Sequence, residues 1–88
     1  MKQIFAVLDT AAETFGTPFF LGTNAEALRS FATEVNTGQP GQSAVATHPN
    51  DYHLYVIGEY DEQKGVITPK EPERLVRAVD LIKPKGAI

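Results

Sequence analysis

The sequence predicts an α+β fold, an antiparallel sheet with two helices packed on one face, in the order β-β-α-β-β-α. Three observations lead there. Four short apolar runs carry the β-branched and aromatic residues that suit a pleated surface. Two further stretches repeat their apolar residues at helical spacing. At 88 residues the chain has room for one small domain, and none for a doubly wound nucleotide-binding fold or an (α/β)₈ barrel. Residues 1-83 are assigned to that domain and residues 84-88 to a frayed C-terminal tail.

The elements follow in order. Ile4 to Leu8 is a strand closed by Asp9, with Ile4, Ala6 and Leu8 on one face and Phe5 and Val7 on the other. Apolar residues on both sides mark a central strand covered twice. Asp9 to Pro18 reads as a loop, and Pro18 to Leu21 as a short strand whose proline stands first, where no ladder bond is lost. Thr23 and Glu26 have the spacing of a capping box, and Leu28, Phe31, Ala32 and Val35 form one buried stripe behind them. Thr37 to Thr47 is a loop of Gly, Pro, Gln, Ser and Thr, and His48-Pro49-Asn50-Asp51 a turn. Tyr52 to Tyr60 is the strongest strand, and after a hairpin loop at 61–65, Val66 to Thr68 pairs back. Glu71-Pro72-Glu73 opens the second helix, with Leu75, Ala78, Val79 and Ile82 as its buried stripe and Pro84 as its stop. Two helices cover one sheet face. The other face, apolar as well, needs a second copy, a ligand or a longer loop.

Composition excludes several functions. The chain has no Cys, so disulfides, thiolate zinc sites and Cys nucleophiles are absent. A small domain without such staples relies on its core or on a partner subunit. No apolar run approaches the roughly 20 residues of a membrane helix. The opening run is too short for a signal-peptide core, so a cytoplasmic protein that avoids membranes is expected.

Enzyme motifs are lacking too. No phosphate loop ending in Lys-Ser or Lys-Thr is present, and Ser43 lacks the second glycine of a nucleophile elbow. His48 and His53 stand five apart across a turn-to-strand boundary, a spacing that does not specify their convergence on a metal. Glu59, Asp61 and Glu62 read as solvated charges at a hairpin tip rather than an acid–base pair. Neither an enzyme, nor a cofactor, nor a metal is expected.

The aromatic and basic residues say more. Phe5 and Tyr55 lie on predicted central strands, and His53 shares Tyr55's face. An aromatic sheet face can stack single-stranded nucleic acid, although core or dimer packing is the plainer use of each ring. The net charge of −3 excludes a protein that coats duplex DNA by charge alone. Its distribution is uneven: residues 1–69 hold three basic residues against eight acids, residues 70–88 five against three. Arg74 and Arg77, at i and i+3, are neighbours on the outer face of the predicted second helix, with Lys70 before them and Lys83 after. Such a strip can hold phosphates or simply be a solvated helix face.

Four segments, taken together, resemble a known family: Lys2 to Asp9, Pro18-Phe19-Phe20, Ala27 to Phe31 and His48 to Asp61. In this order and spacing they are similar to the small nonstructural protein of gokushoviruses, single-stranded-DNA bacteriophages of the Microviridae. The resemblance spans about residues 2 to 80. It implies a protein made in the host bacterial cytoplasm, absent from the mature virion, and associated with viral DNA replication and a DNA-binding role in genome synthesis or packaging. It implies no catalytic residue.

The expectation is therefore a non-enzymatic protein, dimeric, that binds single-stranded DNA. Lys70, Arg74, Arg77 and Lys83 would contact phosphates, and Phe5 and Tyr55 would stack bases. The alternative is an interaction or scaffold factor that binds a phage replication protein or a host factor through the apolar sheet face.

Overall fold

The computed structural model describes residues 1–39 and 41–83; the expected tail at 84-88 lies outside the described residues. An antiparallel five-stranded sheet forms the frame. Strand β1 (Lys2–Asp9) is central, as its two apolar faces require. On one side it pairs with β4 (Tyr52–Asp61), and β4 pairs in turn with β5 (Val66–Arg77). Its other side is shared end to end by two short strands. There β2 (Thr14–Phe15) lies beside Leu8 and Asp9, and β3 (Phe19–Leu21) beside Gln3 to Phe5.

Helix α1 (Asn24–Thr37) lies across one face. Thr23 caps it as the sequence predicts: its Oγ1 accepts from the Glu26 N–H at 3.1 Å. The stripe that α1 buries is Ala27, Phe31 and Val35, which meet Phe5, Leu54 and Val56 from the sheet. Part of the expected loop at 37–47 is a second, one-turn helix, α2 (Ala44–Thr47). It is capped by Ser43, whose hydroxyl accepts from the Ala46 N–H, and it sends Val45 into the same core. Both helices thus cover the same sheet face. The chain then passes through a 3₁₀ turn at Pro49–Asp51 into β4.

The class and the antiparallel sheet follow the sequence expectation, but the second helix is not where the pattern put it. Residues 66–77 are one long edge strand, followed by a 3₁₀ turn at Ala78–Leu81. Two physical reasons account for this. Pro72 biases Glu71 away from helical backbone, and Pro84 would end any helix only three turns later, a length that is marginal without strong packing. As a strand, the same segment gives β4 a hydrogen-bonded neighbour on the flank opposite β1. Pro69 and Pro72 are tolerated because β5 is an edge strand. Its apolar residues still find the core: Ala78 is fully buried, and Leu75, Val76 and Leu81 pack beside it.

Two irregularities shape the β4–β5 hairpin. Its pairing register shifts around Ile57, and there Gly58 lies so close to β5 that a Cβ would sit 2.8 Å from the Thr68 carbonyl oxygen. At the turn, Gly65 has a φ of 67°, where glycine carries no steric cost. Past β5, the Asn36 side chain of α1 donates to the Leu81 carbonyl and accepts from the Lys83 N–H, both at 2.9 Å. Among the described residues no helix is long and apolar enough to cross a membrane.

Candidate nucleic-acid interface

The register decides which side chains share a face, because directly opposed residues of an antiparallel pair point the same way. Across β1 and β4, Phe5 opposes Val56 and Val7 opposes Leu54, and these face α1. The alternate residues face away: Lys2 opposes Tyr60, Ala6 opposes Tyr55, and Leu8 opposes His53. On the other flank of β4, Arg77 opposes His53, Arg74 opposes Tyr55 and Ile67 opposes Tyr60. The short strands add Phe15 opposite Leu8 and Phe20 opposite Ile4. The sheet face without helices is therefore aromatic along its length and basic at one end.

Its rings form two edge-to-face pairs. Phe15 and Tyr55 meet with centroids 5.2 Å apart at 83°, and Phe20 and Tyr60 at 5.5 Å and 72°. Phe15 and Phe20 each keep 42% of their surface exposed. The second pair, with Lys2, Glu62 and Ile67, lines a shallow groove near the hairpin end.

The basic end is built around His53. Burial pushes its pKa down first, and the Arg74 and Arg77 guanidiniums push it further; Asp80 opposes them. Arg77 is held in a bidentate pair by Asp80, with Nε donating at 2.9 Å and Nη2 at 3.0 Å. That bond and charge hold the Asp80 carboxyl below the ordinary carboxylate range and raise the Arg77 guanidinium.

The expected site residues divide. Tyr55, Arg74 and Arg77 come together on the open face, brought there by strand pairing rather than by a helix. Phe5 does not: it is fully buried, stacked on Phe19 at 5.7 Å under α1, and no base can reach it. The expected stacking role of Phe5 is corrected for that reason; odd-numbered positions of β1 face the helix. Lys70 lies midway along β5 with Glu73 at 3.8 Å. Lys83 lies beside Arg29, Thr33 and Asn36 of α1, on the covered side and away from the two arginines.

Other candidates have structural work. Ser43 caps α2, and Asp61 accepts from the Gln63 and Lys64 N–H groups to shape the hairpin turn. Among the described residues no group of three or more His, Cys, Asp or Glu is gathered to hold a metal. Phe15 and Phe20 are the open-face rings that periodicity misses. A two-residue strand shows no period, and only the Phe19-Phe20 alternation, one ring in and one out, hints at the second.

Residues 2–81 match the family described as phage ORF5 protein. The chain belongs to that family. No curated protein and no solved structure matches it. The phage ORF5 protein match runs from the first residue of β1 to the end of the 3₁₀ turn that carries Asp80, so it takes in both faces of the sheet and the whole basic end.

Proposed function

We propose that this phage ORF5 protein is a non-enzymatic factor that binds single-stranded DNA during viral genome replication or packaging. The observation that carries the proposal is the open sheet face. Tyr55 and Phe15 stand there as a ring pair beside Arg74 and Arg77, so a base and its flanking phosphate meet complementary groups within one patch. The acidic remainder of the chain limits unspecific adhesion and leaves the basic end as the place where phosphate is favoured. The resemblance to the gokushovirus nonstructural protein supports action in the host bacterial cytoplasm, outside the mature virion of a Microviridae phage. Fluorescence anisotropy of a labelled oligothymidine tests the proposal. Binding at low salt that weakens as salt rises is expected, through counterion release. No binding at low salt refutes it.

A second reading draws on the hairpin end. Phe20 and Ile67 are exposed there, and this apolar end of the face suits a protein surface. The occupant would be a second copy, giving a homodimer, or a phage replication protein or host factor. Solution mass and co-purification with the phage replication initiator distinguish these from DNA binding.

A further inference from the structure

We propose that His53, Arg74 and Arg77 form a phosphate-binding station at the basic end of the open face, and that Asp80 fills it in the free protein as an internal stand-in for the phosphate. The inference deepens the single-stranded DNA reading, and rests on it for the identity of the molecule that carries the phosphate.

The geometry supplies three parts. Arg77 presents its guanidinium fork to both oxygens of Asp80, the bidentate arrangement that a phosphate takes equally well. Both side chains of that pair are 48% exposed, so solvent and an incoming anion reach it, and an exposed pair holds weakly. Arg74 forms no ion pair among the described residues. His53, one strand over, lies opposite Arg77 and within the field of both arginines. An anion seated among the three gains two cations and an imidazole, and releases Asp80 to water. Tyr55 is two residues from His53 on the same face, roughly 6–7 Å along the strand. A nucleotide whose phosphate sits in the station therefore has its base within reach of the Tyr55–Phe15 pair.

The station is also proton-linked. The charged groups that face His53 are Arg74 and Arg77 from β5 and Asp80 from the 3₁₀ turn; β1 contributes the uncharged Leu8 opposite it. In the free protein, burial and the arginines disfavour the imidazolium form of His53. A phosphate brings negative charge to the same place and favours the imidazolium, so binding takes up a proton and tightens as pH falls.

The test uses inorganic phosphate and a labelled oligothymidine on the full chain. Asp80→Asn removes the stand-in and keeps the shape, and it is expected to tighten oligonucleotide binding about two- to fivefold at low salt. Arg77→Lys keeps the charge, loses the fork and weakens binding. Affinity of the wild type rises as pH falls toward and below about 6.5, by at most about tenfold per pH unit, and His53→Gln flattens that slope. Inorganic phosphate shifts the imidazole resonances of His53 in NMR spectra, and does so at lower concentration in Asp80→Asn. If the oligonucleotide binds and the Asp80→Asn and His53→Gln variants behave as the wild type, the station is overturned and the DNA reading stands. If phosphate moves the His53 resonances while no oligonucleotide binds, the DNA reading falls and the station stands. If phosphate leaves those resonances unmoved in both proteins, the station is overturned outright.

Discussion

Replacing Phe5 and Tyr55, one at a time, by leucine separates the two faces of the sheet. Phe5 has no exposed surface and stacks on Phe19 within the core. Leucine there leaves a partly filled site, which costs about 1–2 kcal/mol. For a domain of this size each kcal/mol moves the melting temperature by about 4–8 °C, so a fall of about 5–15 °C is expected. DNA affinity, measured well below that transition, stays unchanged. Tyr55 is half-buried and gives up only its edge-to-face contact with Phe15, about 0.5–1.5 kcal/mol. Its effect falls on binding: a lost base stack of about 1–3 kcal/mol weakens affinity roughly 5- to 150-fold. Thermal unfolding by circular dichroism and anisotropy with oligothymidine give the two numbers for each variant. The assignment of faces is wrong if Phe5→Leu weakens DNA binding in the folded protein while Tyr55→Leu leaves it intact.

Three further outcomes are expected. Charge reversal of Arg74 and Arg77 to Glu removes two phosphate contacts and lowers the slope of log affinity against log salt by about 1.4, whereas Lys83→Glu, on the covered side, changes it little; equal effects would place the DNA elsewhere. Gly58→Ala drives a Cβ toward the Thr68 carbonyl oxygen and destabilises the hairpin by about 1–3 kcal/mol, readable by denaturant unfolding; an unchanged midpoint would show that β5 yields freely there. Acid weakens the fold through two groups. Because the folded state depresses the His53 pKa, the unfolded chain binds its proton first, and stability falls as pH drops below about 6.5 toward the folded value. The depressed Asp80 carboxyl contributes above its unfolded pKa, and that small, solvent-screened share is lost as pH falls through the lower folded value. His53→Gln removes the first phase and leaves the second, and melts at stepped pH separate them.

Much of the scaffold is legible in the residues. The apolar run of β1, the Thr23 cap and the Phe31–Val35 stripe are local signals, and each is strong enough to survive tertiary context. The segment after Pro69 is not legible in this way. Leu75, Ala78, Val79 and Ile82 satisfy helical spacing, yet Ala78 is buried at the exit of an edge strand and Ile82 stays 49% exposed. What decides the matter is the need of β4 for a neighbour, a long-range demand that no window of sequence displays. The candidate site shows the same division. Arg74 and Arg77 have the spacing of helix neighbours, but they meet Tyr55 and His53 through strand pairing whose register shifts between Leu54 and Tyr55. Phe5 and Tyr55 look alike in sequence, and only the alternation of β1 against β4 sends one inward and one outward.

The edges of the sheet constrain how two copies could associate. One edge is β5, guarded by Pro69 and Pro72 and by the charges of Lys70, Glu71 and Glu73; the other is split between strands of two and three residues. Neither offers a continuous ladder for edge-to-edge pairing. A second copy that docked on the open face instead would cover the rings and arginines proposed to hold a nucleic acid. Self-association and DNA binding would then compete for one surface. If both occur, the apparent affinity for DNA would fall as the protein is concentrated and single strands would drive a dimer apart, so protein abundance in an infected cell would itself set how much of the open face is free.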